Sequence, residues 1–349
     1  MALDAETALK HFRGLSRRRQ SALIAELVMT RSDELLRAYP GLVAIGQGFR
    51  RRRVTGGDAV GEIVTNDRCV LFLVRKKWKA IGSARRRLPS HLFCHDLVRG
   101  KRTLLAIPTD VSEARPAQAN AGLGAVDIAG HSDQGVLTCL IDCERSDRSI
   151  ERRALSCRHV LSLTGTLSPE PSSARVTRDG ALIGEALPIR GPLSNTGDSF
   201  DAQAVKLATP TAADRSVWAT HWPQGFVAHA GELEPSMWLH LPRTGGPVRV
   251  HYRGVWSGLQ VSYGSGANNF IATVGPLVEL ELAGNQRTRP GDSGSPLVIG
   301  YAQPRLAGMH IAGTPDDGHG RALSYCIPAY ALLDPGNYAE TAGETWQLS

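Results

Sequence analysis

The chain has 349 residues, of which 42% are hydrophobic and 21% charged, a composition that excludes disorder throughout and leaves room for two or three domains. No apolar run reaches the roughly eighteen residues that a membrane-spanning helix needs, and the N-terminus, MALDAETALKHFRGLSRRRQ, lacks the apolar core of a secretory signal. We therefore expect a cytoplasmic protein with no membrane partner.

The formal net charge of +7 is unevenly divided along the chain. Residues 1–116 hold 23 Lys and Arg against 11 Asp and Glu, whereas the remainder holds 17 against 22. A basic segment of this kind favours an acidic partner or nucleic acid. Arg50–Arg53 and Arg75–Lys79, with Trp78 among the latter, could contact phosphates and stack a base. A solvated set of loops, or a basic face against acidic domains of the same chain, is the alternative.

Residues 1–116 are predicted to form a small α+β domain. Apolar residues recur at helical spacing over Ala5–Arg37, and Tyr39-Pro40-Gly41 ends that pattern. The apolar runs LVAIGQGF, CVLFLV and TLLAIP then indicate strands. Residues 117–134, rich in Ala and Gly, are predicted to be a linker.

From residue 135 onward the pattern is that of a mainly β protein. Short apolar runs alternate with clusters of Gly, Pro, Ser and Asp, and they read VLTCLI, ALIGEAL, AVKLA, VRVHYR and PLVIG. Many short strands without a long helix indicate a sandwich or barrel, and the length suffices for two small barrels.

The six cysteines show no paired spacing of the kind that binds zinc. They are Cys69, Cys94, Cys139, Cys143, Cys157 and Cys326. Without an export signal we expect reduced thiols, most of them buried as small apolar groups. No metal site is predicted.

The stretch TRPGDSGSPLVIG, Thr288–Gly300, sets Ser293 between two glycines and ahead of an apolar run. Taken alone, this composition is typical of a turn. A serine hydroxyl becomes a nucleophile when a histidine, itself held by a carboxylate, takes its proton. Among the histidines of this region, His159 lies in ALSCRHVLSL, where an apolar strand meets a turn.

Three motifs together resemble those of trypsin-like serine peptidases. ALSCRHVL is similar to the histidine motif of that family, SFDAQAVKLA to its aspartate motif and GDSGSP to its nucleophile motif. The order His159, Asp201, Ser293 and the separations of 42 and 92 residues are typical of the family. Asp198 is a rival for the acid, but the strand pattern begins at Asp201.

The resemblance covers residues 135 to 333 and implies a double β-barrel. The first barrel would span 135–222 and hold His159 and Asp201; the second would span 223–349, hold Ser293 and end in a short helix and a tail. The main-chain amides of Gly291 and Ser293 would form the oxyanion hole. Residues 1–116 are reminiscent of an extra N-terminal region in some non-secreted trypsin-like peptidases of bacteria and plants. The chain departs from the family at Ser295, where glycine is commoner, and in the missing partner for a disulfide at Cys157.

The resemblance also implies a substrate pocket. Arg287 would lie at its base, Thr288 on its wall, and LAGMHIAG would form the flanking strand with His310 inside and Gly313 at its end. A threonine and histidine there resemble the pocket of the glutamate-specific members, so Glu, Gln or Asp is expected before the cleaved bond. The alternative is that His310 is a core histidine and that Arg287 points to solvent.

These residues predict an intracellular serine endopeptidase that acts on protein or peptide substrates and requires no cofactor. A peptidase of the cytoplasm must be restrained, so regulated proteolysis is expected, with bacterial defence as one setting and the N-terminal domain as regulator or recruiter. Two alternatives stay open: an inactive peptidase fold that serves as a scaffold, and a protein that binds nucleic acid or an acidic partner through its N-terminal domain.

Overall fold

The computed structural model describes residues 5–56, 59–77, 87–119, 126–128, 134–161, 174–178, 180–191, 193–195, 199–209, 223–242, 246–264, 269–284, 286–300, 302–314, 322–339 and 341–349. The protein is mainly β, with 51% strand and 17% helix, which confirms the predicted class. It divides into two compact units. The first comprises Met1–Arg115 and Arg253–Ser257, and the second comprises Pro116–Tyr252 and Gly258–Ser349.

The first unit begins with two helices, α1 (Ala5–Arg13) and α2 (Arg17–Ala38). The predicted single helical region is thus interrupted around Gly14. Ser16 caps α2, because its side chain accepts a hydrogen bond from the main-chain N–H of Arg19 at 3.3 Å.

A sheet completes the first unit. Its strands are β1 (Leu42–Gly56), β2 (Ala59–Val74), β3 (His91–Val98) and β4 (Lys101–Glu113). β1 pairs antiparallel with β2, β2 parallel with β4, and β4 antiparallel with β3. The outer edge of β1 pairs with Gly254–Trp256, which explains why that short segment belongs to this unit.

The core of the first unit lies between the helices and one face of this sheet. Its buried members are Phe12, Leu23, Ile24, Leu27, Leu35, Leu42, Ile45, Val70, Phe72, Val74, Leu92, Leu105 and Ile107. Both the helical period and the strand alternation of the sequence therefore point into one apolar layer.

The second unit contains an eight-stranded sheet in the order β22–β8–β9–β12–β11–β10–β6–β7. The strands are β6 (Val126–Ile128), β7 (Gln134–Gly135), β8 (Cys139–Glu144), β9 (Ile150–Ser156), β10 (Ala174–Arg178), β11 (Ala181–Ala186), β12 (Gln203–Leu207) and β22 (Thr345–Leu348). The last strand of the chain pairs with β8. A four-residue helix, α3 (Arg158–Leu161), follows β9.

The second unit also contains a closed six-stranded barrel. Its ring runs β14–β15–β18–β21–β20–β19 and returns to β14. These strands are β14 (Ser236–Leu241), β15 (Gly246–Trp256), β18 (Leu277–Leu282), β19 (Pro296–Ile299), β20 (Arg305–Gly313) and β21 (Leu323–Pro328). The end of β15, from Arg253 onward, is counted with the first unit. Helix α4 (Ala329–Leu332) follows the last of them.

Four further strands belong to the second unit. β13 (Gly225–Phe226) pairs with β20, and β16 (Leu259–Tyr263) forms a hairpin with β17 (Phe270–Val274). β5 (Ala117–Ala119) lies between β16 and β20 and pairs with both. This strand begins the stretch that the sequence predicted to be a linker.

Candidate active site

His159 lies on α3, one turn after the end of β9. Val160 and Leu161, the apolar residues that follow it, are buried and hold the helix against the interior. The imidazole itself is almost fully buried, with 5% of the residue exposed. A strand that ends in a short, anchored turn fixes the direction of the ring.

Asp201 lies two residues before β12. β12 pairs antiparallel with β9 so that Gln203 stands opposite Ser156, and this register brings Asp201 beside α3. The Asp201 carboxylate has no exposed surface. Its Oδ1 accepts a hydrogen bond from the main-chain N–H of His159 at 3.1 Å, which ties the acid to the backbone of the base.

Ser293 lies in the turn that leads into β19. Gly291 and Gly294 on either side of it have φ angles of 96° and 94°, a conformation that favours glycine. A Cβ at Gly294 would lie 1.8 Å from the carbonyl oxygen of Val136, so this position also excludes any side chain. Asp292 closes the turn because its Oδ2 accepts a hydrogen bond from the N–H of Arg289 at 2.7 Å.

The three side chains form a continuous hydrogen-bonded chain. His159 Nε2 lies 2.8 Å from Ser293 Oγ, and His159 Nδ1 lies 2.7 Å from Asp201 Oδ2. All three residues are buried. With a proton on Nδ1, held by the carboxylate, Nε2 is free to accept the hydroxyl proton of Ser293. The arrangement can therefore activate the serine as a nucleophile.

The amides of Gly291 and Ser293 are the donors that the sequence predicted for an oxyanion. Within the part of the chain that the structure describes, neither donates a hydrogen bond. The neighbouring N–H of Gly294 is used, since it donates to the carbonyl of His310 at 2.8 Å. Two uncommitted amides beside a nucleophile can stabilise developing negative charge.

Tyr263, at the end of β16, is a member of the site that the sequence did not reveal. Its hydroxyl donates to Asp201 Oδ2 at 2.9 Å, the same oxygen that His159 contacts. Its ring lies edge-on to His159 with centroids 5.4 Å apart and stacks on Phe270 at 5.2 Å. Burial, followed by the charge of Asp201, raises the pKa of Tyr263 well above its usual value. The phenol therefore stays protonated and acts as a donor to the carboxylate.

The residues of the predicted pocket lie in contrasting surroundings. His310, on β20, is fully buried, and its Nδ1 lies 2.8 Å from Ser324 Oγ. Burial, with a smaller effect of His159, lowers the pKa of His310 to about 3, so this imidazole is neutral. Thr288 is half-buried, Arg287 is exposed, and Gly313 pairs with Gln118. Their shared role as a substrate pocket stays a prediction.

Several residues considered from the sequence fall outside the described residues. They are Asp198, Trp78 and Lys79. Of the basic stretches, Arg50, Arg52 and Arg75 are exposed. A nucleic-acid or acidic partner for the first unit therefore stays a prediction.

All six cysteines are free, and five of them are buried. Among the described residues, no group of three or more His, Cys, Asp or Glu is arranged to hold a metal ion. The helices of the described chain are all too short or too polar to cross a bilayer.

Comparisons with known proteins found similarity to solved structures only. No family model matches the sequence, and no curated protein matches it. Among solved structures, a chymotrypsin from Cellulomonas bogoriensis is similar at 14% identity and a TM-score of 0.37, over 66% of this chain and 99% of that chain. The NS6 protease from murine norovirus 1 is similar at 16% identity and a TM-score of 0.27, over 50% of this chain and 80% of that chain. Values this low do not indicate a shared activity.

Proposed function

We propose that the protein is a serine endopeptidase. The observation that supports this most directly is the hydrogen-bonded chain from Ser293 through His159 to Asp201. Ser293 Oγ attacks the carbonyl carbon of a peptide bond while His159 Nε2 takes its proton. The same proton then passes to the leaving amine, and water releases the acyl group from Ser293 by the reverse sequence of transfers.

The negative charge that forms on the attacked carbonyl oxygen needs fixed donors. The uncommitted amides of Gly291 and Ser293 are proposed to supply them. Loss of one donor of this kind costs on the order of 10²–10³ in rate. Asp201, held by His159 and Tyr263, keeps the imidazole in the tautomer that accepts the serine proton and stabilises the cation that forms.

The test is cleavage of an unfolded protein, such as reduced casein, by the full chain. We expect cleavage by the natural chain and none by Ser293→Ala or His159→Ala, with all three showing the same circular dichroism spectrum. Ser295→Ala, two residues away in the same turn, is the matched control and should still cleave. Cleavage that persists in Ser293→Ala would remove this serine from the mechanism.

An inactive scaffold is the competing interpretation. A scaffold needs no particular distance between an imidazole and a hydroxyl, whereas 2.8 Å between His159 Nε2 and Ser293 Oγ is within the reach that proton transfer requires. The casein test distinguishes a peptidase from a scaffold, because a scaffold leaves casein intact at every protein concentration.

We further propose that the residue before the cleaved bond carries an amide or carboxyl group. A hydroxyl and an imidazole, such as those of Thr288 and His310, are groups that can donate to a carboxylate or amide oxygen, and Arg287 would add positive charge. We therefore expect Glu, Gln or Asp at that position. A peptide library varied at that position measures this; a preference for Arg or Lys would refute it.

The proposed setting is regulated cleavage in the cytoplasm. Six unpaired thiols are compatible with a reducing compartment. Cell fractionation with an antibody to the full chain tests the location, and recovery in a secreted fraction would contradict it.

A further inference from the structure

The strand β5 bridges two other strands that do not pair with each other. Gly313 and Ala312 of β20 stand opposite Gln118 and Ala119 in an antiparallel register. On its other side, β5 pairs in parallel with β16 at Val261 and Ser262. A strand paired on both edges forms hydrogen bonds with the main-chain donors and acceptors of its two neighbours. Removal of β5 would therefore leave open edges on β16 and β20 to which another extended chain could pair.

Both strands that flank β5 carry atoms of the candidate active site. On β20, the carbonyl oxygen of Ile311 lies 3.4 Å from Ser293 Oγ. On β16, Tyr263 contacts Asp201 and His159. The position between β16 and β20 that β5 occupies is therefore beside the nucleophile and the base.

The direction of β5 matches that of a substrate. From Gln118 to Ala119 the chain moves from beside Gly313 to beside Ala312, and the next residue of β20 in that direction is Ile311. β5 thus approaches Ser293 with its C-terminal end. A serine peptidase retains the N-terminal part of its substrate as the acyl group, so the residues of that part approach the nucleophile in the same sense.

Burial is consistent with an occupied cleft. Ser293 has no exposed surface and His159 only 5%, while Ala117 of β5 is 4% exposed. An external peptide bond cannot reach Ser293 Oγ unless the atoms that cover it move.

We propose that β5 occupies the substrate cleft as a built-in competitor, and that a peptide substrate binds by replacing it between β16 and β20. This inference rests on the proposed peptidase function, but whether β5 occupies the cleft can be tested without catalysis. The partner that the cleft accepts is an extended peptide, bound through its main chain. The consequence for the enzyme is restraint, because only the fraction of molecules with β5 released can bind a substrate.

The test measures peptide binding in a chain that cannot cleave. The probe is a fluorescein-labelled synthetic peptide with the sequence of residues 115–122, RPAQANAG, and its affinity for the Ser293→Ala chain is measured by fluorescence polarisation. Gln118→Pro is then added, because proline lacks the N–H and cannot keep its place in a central strand. Gln118→Ala is the matched control, since it removes the same exposed side chain and leaves the strand intact.

If β5 fills the cleft in about nine molecules of ten, its release tightens binding of the probe about tenfold. We expect this gain for Gln118→Pro and none for Gln118→Ala. Should Gln118→Pro fail to fold, Ala117→Glu provides a second way to release the strand, because it places a charge at a buried position.

Equal affinity in the folded Gln118→Pro chain and its parent would overturn the proposal, as would an equal gain in both Gln118 variants. These outcomes leave the peptidase proposal untouched, because the binding assay contains no catalytic step. With Ser293 restored, the same release should lower KM for a peptide substrate by a similar factor and leave kcat unchanged. A variant with lower kcat and unchanged KM would contradict competition.

Discussion

Replacement of Tyr263 by phenylalanine tests whether the hydroxyl on Asp201 matters for catalysis. The substitution removes one hydrogen bond of 2.9 Å to a buried carboxylate and keeps the ring contacts with His159 and Phe270. A hydrogen bond to a charged group contributes about 1.5–3 kcal/mol. We therefore expect the free energy of unfolding to fall by that amount. Asp201 also loses the donor that orients Oδ2, so kcat should fall about tenfold or more with little change in KM.

Tyr338→Phe is the matched control for this experiment. Tyr338 is also buried, but its hydroxyl donates to the carbonyl of Leu332 at 2.7 Å rather than to the acid. We expect this variant to lose about 0.5–1.5 kcal/mol of stability and to keep its kcat. Steady-state cleavage of a fluorogenic peptide and urea denaturation measure both quantities. If Tyr263→Phe retains full kcat, or if Tyr338→Phe loses as much, the hydroxyl does not position Asp201.

Three further predictions concern the turn around Ser293, the buried His310 and the ion pair between Arg153 and Glu344. Gly294→Ala should abolish cleavage and folding, because its Cβ would meet a carbonyl oxygen at 1.8 Å. Gly343→Ala, at a φ of 82° with open space around it, is the control and should melt within a few degrees of the natural chain. Similar melting curves for the two variants would contradict this prediction. Between about pH 6.5 and pH 3, His310 takes up a proton only in the unfolded chain, since its folded pKa is about 3. Acid should therefore destabilise the folded chain in this range. Between about pH 7 and pH 5, the free energy of unfolding of the natural chain, measured by urea denaturation, should fall about 2 kcal/mol more than that of His310→Gln. An equal fall in the two chains would contradict this. Arg153 is buried and donates to both oxygens of Glu344, at 2.8 and 2.7 Å, and to Glu151 Oε1 at 2.6 Å. Because Glu151 still pairs with Arg153 in Glu344→Ala, this substitution should cost about 1.5–3 kcal/mol in the same assay, and an unchanged free energy of unfolding would argue against the pair.

The three residues of the hydrogen-bonded chain could be found from the sequence because each lies in a strongly determined local structure. His159 follows an apolar strand, and Ser293 lies between two glycines of the kind that a tight turn requires. The register between β9 and β12 then brings Asp201 to His159. The sequence motif indicates this proximity only through its resemblance to a family, since no local pattern specifies which strands pair.

Tyr263 could not be recognised in this way. β16, with the sequence LQVSY, alternates buried and less buried residues and is typical of any strand at the edge of a core. The partner of the hydroxyl, Asp201, lies 62 residues earlier in the chain. A tyrosine at a buried strand position is most often a packing residue. Only the folded structure reveals that its hydroxyl donates to Asp201.

β5 cannot be predicted from its own sequence, for a different reason. Its sequence, Ala-Gln-Ala, contains no β-branched or aromatic residue, so its intrinsic preference for a strand is low. Two neighbours impose the extended conformation by pairing on both sides. Tertiary pairing of this kind overrides local propensity and leaves no trace in the segment itself.

Labelling with a fluorophosphonate probe, followed by mass spectrometry of the modified peptide, tests whether Ser293 is an activated nucleophile. Such a probe reacts with a serine hydroxyl only when a base removes its proton. We predict one adduct on Ser293 in the full chain, lost in His159→Ala and increased in Gln118→Pro. The absence of an adduct on Ser293 in both the full chain and the folded Gln118→Pro variant would contradict it.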